Sequence, residues 1–276
     1  MQLASLGSGS KGNATLIRAG ETLVLVDNGF SPKELVRRAE HLGIDLSTLS
    51  AILVTHEHSD HCAGVAALAR RFSLPVYATH GTFASGRMEG AFERHPFDAD
   101  SDLKIGDLSV HAVAVPHDAR EPVQYVFRHA EQTVGILTDL GMATSHVQSA
   151  FSACDALLLE FNHDRRMLAE GPYPPALKRR VGGDWGHLAN TQAVALLACI
   201  DHERLQHLAI AHISEKNNCR DAVESAIRQD FAHLLDRVVW ASQGTGFPWL
   251  KVTDRSSYAA ARPASALETR AGAEAY

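Results

Sequence analysis

The sequence predicts a mixed α/β fold: two mixed sheets with helices on their outer faces. Three observations lead there. Short apolar runs bounded by turn residues recur along most of the chain. Helical patterns come in two separate rounds and do not follow every strand. From Leu103 to Leu137, strands succeed one another with no helix between them. A single parallel doubly wound sheet would show a stricter alternation. With 276 residues the chain can bury a sizeable core.

The N-terminal QLASL reads as a strand that runs into Gly7, Gly9 and Gly12, a G-x-G-x-x-G, with the acid Asp27 further on. That outlines a dinucleotide-binding fingerprint, which requires a helix opening at the last glycine. Gly12 leads instead into NATLIRAGETLVLVDNG, two strands joined by a tight turn at Ala19-Gly20. The glycines therefore join strand to strand, and a nicotinamide or flavin site is set aside. Ser31 as N-cap, Pro32 in the first helical position and Glu34 completing a capping box start a helix. Its stripe is Leu35, Ala39 and Leu42, and Gly43 ends it. AILV at 51–54 is a buried strand, 61–72 a helix and PVYA at 75–78 a strand. DLSVHAVAV, PVQYVFRH, TVGILT and the CDALLLE of 154–160 are further strands. Helices follow near 190–200 and 219–230, with strands at 207–212 and 237–241. Residues 1–253 read as one domain, and the Ala-rich 254–276 as a mobile tail.

Hydrophobic content of 45% and charged content of 21% are ordinary for a globular chain. The net charge of −6 argues against a broadly basic surface but leaves room for a local basic track. The four cysteines form no C-x-x-C, no apolar run is long enough to span a membrane, and no signal-peptide pattern opens the chain. A cytoplasmic protein with free thiols and no membrane partner is expected, with Cys62 a buried apolar thiol. Sixteen histidines ask for a metal or for proton transfer.

The answer begins just after strand 51–54, where THEHSDH places His56, His58, Asp60 and His61 close together. Residues two apart on an extended loop point the same way, so His56 and His58 face one ion. Asp60 and His61 then turn to the other side, and one loop can feed two adjacent metals. His117, Asp139 and His212 each stand just past another strand, where loops gather at one end of a sheet. Imidazoles and carboxylates suit zinc, manganese or iron.

These residues resemble the metallo-β-lactamase-fold hydrolases. The resemblance implies an αββα four-layer sandwich with two divalent metal ions at the edge of the sheets. It assigns His56, His58 and His117 to the first metal and Asp60, His61 and His212 to the second, with Asp139 bridging. Asp60 is also counted among the catalytic residues, and Asp27 is implied to orient the metal loop by hydrogen bonds. The S-G-S-x-G-N loop, ILVTHEHSDH, PHDAREPV, LEFNHDRRML, GHLAN and AHISEKNN are similar to the YycJ/WalJ-type branch, over about residues 3 to 252. That branch implies a metal-dependent 5′-to-3′ exonuclease acting on DNA rather than RNA, with a hydroxide held between the metals as nucleophile. In the related phosphodiesterases, which include tRNA 3′-processing endonucleases, an acid orients a histidine toward the scissile phosphate or the leaving oxygen. Glu160 and His187 occupy those places here.

Substrate phosphate is expected to meet the glycine loop through its backbone N–H groups and Ser8, Ser10 and Asn13. The basic run Lys178, Arg179 and Arg180 would hold flanking phosphates, and Asn217 would contact phosphate or support a ligand. Two alternatives stay open. One is hydrolysis of a small phosphodiester or of a thioester such as an acyl-glutathione. The other is a metal-binding protein without turnover, against which the complete ligand set argues.

Overall fold

The computed structural model describes residues 1–254 and 256–258, and the rest of the expected tail lies outside the described residues. The first half of the chain builds one sheet from β1 (Gln2–Gly7), β2 (Ala14–Ala19), β3 (Thr22–Val26), β4 (Ala51–Leu53), β5 (Pro75–Thr79) and β6 (Glu93–Phe97). The second half builds another from β7 (Asp102–Ile105), β8 (Leu108–Ala114), β9 (Val123–His129), β10 (Gln132–Leu137), β11 (Ala156–Glu160), β12 (His207–Ala211) and β13 (Val238–Trp240). The last strand, β14 (Phe247–Lys251), returns to pair with β1. Both sheets are seven-stranded, in the orders β14-β1-β2-β3-β4-β5-β6 and β13-β12-β11-β10-β9-β8-β7.

Connection length sets strand direction. Short turns join β1, β2 and β3, and likewise β7 through β10, so these pairs are antiparallel. From β3 to β6 and from β10 to β13 longer crossovers intervene, and the pairs are parallel. Helices α1 (Pro32–His41), α2 (Ser59–Cys62), α3 (Val65–Phe72) and α4 (His80–Ala84) belong to the first half. Helices α5 (Ser145–Phe151), α6 (Arg165–Glu170), α7 (Pro175–Val181), α8 (Asn190–Cys199) and α9 (Arg220–Phe231) belong to the second.

Alternation along the strands makes four layers. Val24 of β3 and Leu158 of β11 join Leu53, Val110, Tyr125 and Phe127 in a core between the sheets. Their neighbours Leu25 and Leu157 point outward. Leu25 packs with Leu35 and Leu68 of the first helix layer. Leu157 packs with Phe151, Leu197 and Ile227 of the second. This is the αββα sandwich. Among the described residues no helix is long and apolar enough to cross a membrane.

Local details differ from the sequence pattern. At α1 the Ser31 hydroxyl accepts the Glu34 N–H at 3.3 Å, but the Glu34 carboxylate turns away to Arg37 and Arg38, so only half of the capping box forms. The helix expected at 61–72 is two, α2 and α3, with Gly64 between them. A Cβ on Gly64 would lie 1.8 Å from the Phe30 carbonyl oxygen, so the loop after β3 can seat there only against glycine.

Candidate metal centre

The site sits where β3, β4, β10, β11 and β12 end. Asp27, Asp139 and His212 each follow directly on a strand or one residue beyond it, and have left-handed φ values of 61°, 53° and 52°. Such backbone is costly for residues with a Cβ, and here it turns Asp139 and His212 toward each other and Asp27 onto the outer nitrogen of His61.

Asp27 anchors the loop after β4. Its Oδ1 accepts the Thr55 N–H at 2.8 Å, and its Oδ2 accepts the Thr55 hydroxyl at 2.8 Å and His61 Nδ1–H at 2.8 Å. Because the Thr55 hydroxyl already donates to Asp27, it accepts from His56 Nδ1 at 3.0 Å. His117 Nδ1 donates to the Gly186 carbonyl at 3.0 Å. These outer bonds put the proton of each ring on the remote nitrogen, leaving lone pairs on His56 Nε2 and His117 Nε2. Both face His58 Nδ1, at 3.0 and 3.3 Å. His61 Nε2 faces Asp60 Oδ2 at 3.5 Å and Asp139 Oδ2 at 3.3 Å. His212 Nδ1 donates to Glu160 Oε1 at 2.9 Å, and its Nε2 faces Asp60.

Two ligand trios result, His56–His58–His117 and Asp60–His61–His212, each with its donor atoms within 4.8 Å of one another. Asp139 lies beside both, grouping with His56 of the first trio and with His61 and His212 of the second. All seven residues singled out as ligands are thus brought together. The donor set fits divalent metal on its own chemistry. Asp139 Oδ2 and His212 Nε2 are buried with no hydrogen-bond partner, a cost that a cation between them would remove.

Charge points the same way. Burial opposes the charged form of His61, but Asp139, Asp27 and Asp60 outweigh it and hold His61 well above its ordinary value. Burial likewise opposes His212, yet Asp139, Asp60 and Glu160 raise it to about 10. Burial, helped by the neighbouring imidazoles, keeps His56 and His117 low, hence neutral and ready to ligate. The cage is acidic, and a divalent ion bound there would take the place of the protons on His61 and His212.

Asp27→Asn keeps the shape and loses the charge that orients His61. It is expected to weaken metal affinity about 10–100-fold, measured by chelator competition.

Glu160 does two jobs. Its Oε1 accepts from His187 Nδ1 at 2.8 Å as well as from His212, and its Oε2 accepts the Leu188 N–H at 3.0 Å. Burial would raise its carboxyl, but His187 and His212 together outweigh burial and bring it down to about 2. His187 is therefore held by one nitrogen, with the other left for the pocket. That pocket, of about 350 Å³, is lined by metal ligands together with Ser10, His187, Arg180, Arg87 and Tyr173.

The expected phosphate contacts divide. Ser10 and Arg180 line the pocket, and Arg180 is ion-paired to Asp118, the residue after His117. Ser8 and Asn13 are buried in the glycine loop instead. The Ser8 hydroxyl donates to Asn13 Oδ1 at 3.2 Å and accepts the His212 N–H at 3.0 Å. Asn13 Oδ1 accepts the Gly9 N–H at 2.8 Å, and its amide lies 3.0 Å from His61 Nε2. A Cβ on Gly12, whose φ is 145°, would lie 2.6 Å from the Phe30 ring. The loop thus braces the ligands, and its glycines serve close packing. Lys178 donates to the Ala169 carbonyl at 2.6 Å, and neither it nor Arg179 lines the pocket. Asn217 is fully buried and its backbone carbonyl holds Asp164 N–H at 2.9 Å. Arg87 and Tyr173 were not singled out in the sequence. Tyr173 had a faint signal in GPYPP, and Arg87 had none. Cys62 is fully buried, and burial pushes its thiol up to about 11.

A family model described as a beta-lactamase superfamily domain matches residues 22–210. The chain belongs to this superfamily. Within the metallo-β-lactamase superfamily it is 34% identical over 235 residues to Exodeoxyribonuclease YycJ of Bacillus anthracis, covering 83% of this chain and 88% of the relative. It is 30% identical over 258 residues to Exodeoxyribonuclease WalJ of Streptococcus pneumoniae, covering 91% and 93%. It is therefore a metal-dependent hydrolase of the YycJ/WalJ type. Among solved structures the metallo-β-lactamase fold protein YhfI of Bacillus subtilis superposes with a TM-score of 0.69 at 16% identity, covering 91% of this chain and 99% of that one. The short form of human tRNase Z superposes at 0.64 and 16%, covering 92% and 100%. These likenesses establish the superfamily's sandwich.

Proposed function

We propose that the chain is a two-metal phosphodiesterase that degrades DNA as a 5′-to-3′ exonuclease. The observation that carries the reading is the Glu160–His187 pair beside two complete ligand trios, in one pocket with Arg180 and Arg87. The relatives named exodeoxyribonucleases support DNA as substrate. Divalent metal bound here supplies Lewis acidity and an activated water.

The chain's own residues do the rest. His56, His58 and His117 would hold one ion and Asp60, His61 and His212 the other, with Asp139 beside both trios. Arg180 and Arg87 meet the charge of the phosphate. Glu160 fixes His187 through Nδ1, so that Nε2 can give a proton to the departing sugar oxygen. Trp185, one residue before the pocket-lining Gly186, is 63% exposed, against the general burial of large apolar residues. Its turn is fixed by Gly186 N–H on Gly183 O at 2.9 Å and His187 N–H on Val181 O at 2.8 Å. An exposed indole on a hydrogen-bonded turn next to the pocket suits stacking on a nucleobase. Trp185→Ala is expected to raise KM on single-stranded DNA about 5–150-fold, from ~1–3 kcal/mol of stacking. Turnover of bis(p-nitrophenyl) phosphate by the same variant should stay unchanged.

The proposal is tested with linear DNA labelled at either end and with an acyl-glutathione thioester, both offered to Mn²⁺- or Zn²⁺-loaded protein. Early release of the 5′ label as a mononucleotide is expected. Preferred turnover of the thioester would favour the other enzymatic reading.

A further inference from the structure

The catalytic cage does not use all of the clustered imidazoles. His202 lies in a 3-10 turn (His202–Arg204) between α8 and β12, and His233 in a 3-10 segment (Ala232–Arg237) after α9. The first turn leads into the start of β12, whereas His212 follows that strand's other end, so the strand separates this cluster from the catalytic cage. Between the two histidines stands Glu203. Its Oε1 is 3.8 Å from His202 Nε2 and 3.4 Å from His233 Nε2. One donor atom from each of the three residues lies within 4.8 Å of the others.

The hydrogen bonds around His202 decide which nitrogen faces the cluster. His202 Nδ1 lies 3.1 Å from the Leu197 carbonyl and 3.3 Å from the Ile200 carbonyl. Carbonyl oxygens only accept, so Nδ1 carries a proton and Nε2 is the nitrogen that faces the cluster. In the neutral ring Nε2 aims a lone pair at the Glu203 carboxylate, and a divalent cation between them satisfies both groups. Backbone carbonyls that fix a ring in this way are the usual outer partners of a ligating histidine. The frame is rigid as well. Arg237 Nη1 donates to the carbonyls of Glu203 at 3.2 Å and Leu205 at 2.8 Å, and the Phe231 ring packs edge-on against His202 at 4.7 Å.

We propose that His202, Glu203 and His233 form a further divalent-metal site, separate from the catalytic cage, that clamps the turn before β12 to the segment after α9. Two imidazoles and one carboxylate, with an open position for water, suit zinc. The cluster is partly exposed, so the ion exchanges with solvent and stabilises the fold without entering the reaction. The site stands independently of the nuclease reading.

The experiment is a Zn²⁺ titration of the full chain by calorimetry, with bound metal counted after desalting. It compares wild type, His202→Ala/His233→Ala and Glu203→Gln. Wild type is expected to hold about one equivalent more than the double variant. Added zinc should raise the Tm of wild type further than that of the double variant, while their phosphodiesterase turnover stays equal. Equal metal content and equal zinc response in the two proteins would overturn the site. Should the double variant fold poorly by circular dichroism, Glu203→Gln decides: it keeps the shape and must bind the extra equivalent more weakly. Unchanged binding by Glu203→Gln also overturns the proposal.

Discussion

His187→Ala will lower turnover on DNA by about 10²–10⁴-fold and leave bis(p-nitrophenyl) phosphate almost untouched. The contrast follows from the leaving groups. A sugar alkoxide is a strong base and leaves badly without a proton, whereas p-nitrophenolate departs unaided. His187 is placed to supply that proton because Glu160 Oε1 holds its Nδ1 at 2.8 Å. Its Nδ1 lies 3.7 Å from Asp139 Oδ1, but it belongs to neither ligand trio, so metal content should be retained. An equal loss on both substrates would mean that His187 acts on metal or phosphate binding, and not on the leaving oxygen. Comparing kcat on the two substrates, with metal content measured alongside, separates these roles.

Asp139→Ala will abolish activity, by at least about 10³-fold, on every substrate. Asp139 is the residue that reaches both trios. Its carboxylate groups with His56 of the first trio, and in the second its Oδ2 lies 3.3 Å from His61 Nε2 and its Oδ1 3.2 Å from His212 Nδ1. Burial would keep its carboxyl protonated, but His212 and His61 outweigh burial and hold it well below the ordinary carboxylate range. It is therefore ionised and ready for a cation. Its backbone has a left-handed φ of 53°, which asparagine tolerates better than alanine. Asp139→Asn is thus the companion variant: it should fold as wild type, lose metal and lose activity. An active, fully metallated Asp139→Asn protein would remove Asp139 from the centre of the mechanism.

Much of the fold and the ligand set was legible because each signal was local. Buried strands such as AILV and CDALLLE announce themselves by composition. The candidate ligands stand in segments that follow strands, with Asp60 and His61 in the short helix α2 after β4, and their crowding in THEHSDH has no packing reason. Elements that rest on tertiary context were not legible. Strands β6 and β14 carry Pro96 and Pro248, which read as breaks in sequence but are tolerated at sheet edges. Helices α4 to α7 have five to seven residues each, too few to display a stripe. Ser8, Asn13 and Asn217 show the other difficulty. A polar side chain on a loop looks the same in sequence whether it serves a ligand or its own backbone, and only the three-dimensional partners tell. Arg87 comes to the pocket from the segment after α4, along a path that no motif encodes.

The central claim is that this metal cage cleaves the phosphodiester bonds of DNA. It is tested most directly by following mononucleotide release from a linear 5′-phosphorylated DNA strand. The assay compares protein as purified, protein stripped by a chelator, and stripped protein resupplied with Mn²⁺ or Zn²⁺. Release is predicted to vanish on stripping and to return with the metal. Release that survives complete stripping, or no release from fully metallated protein, would contradict the account.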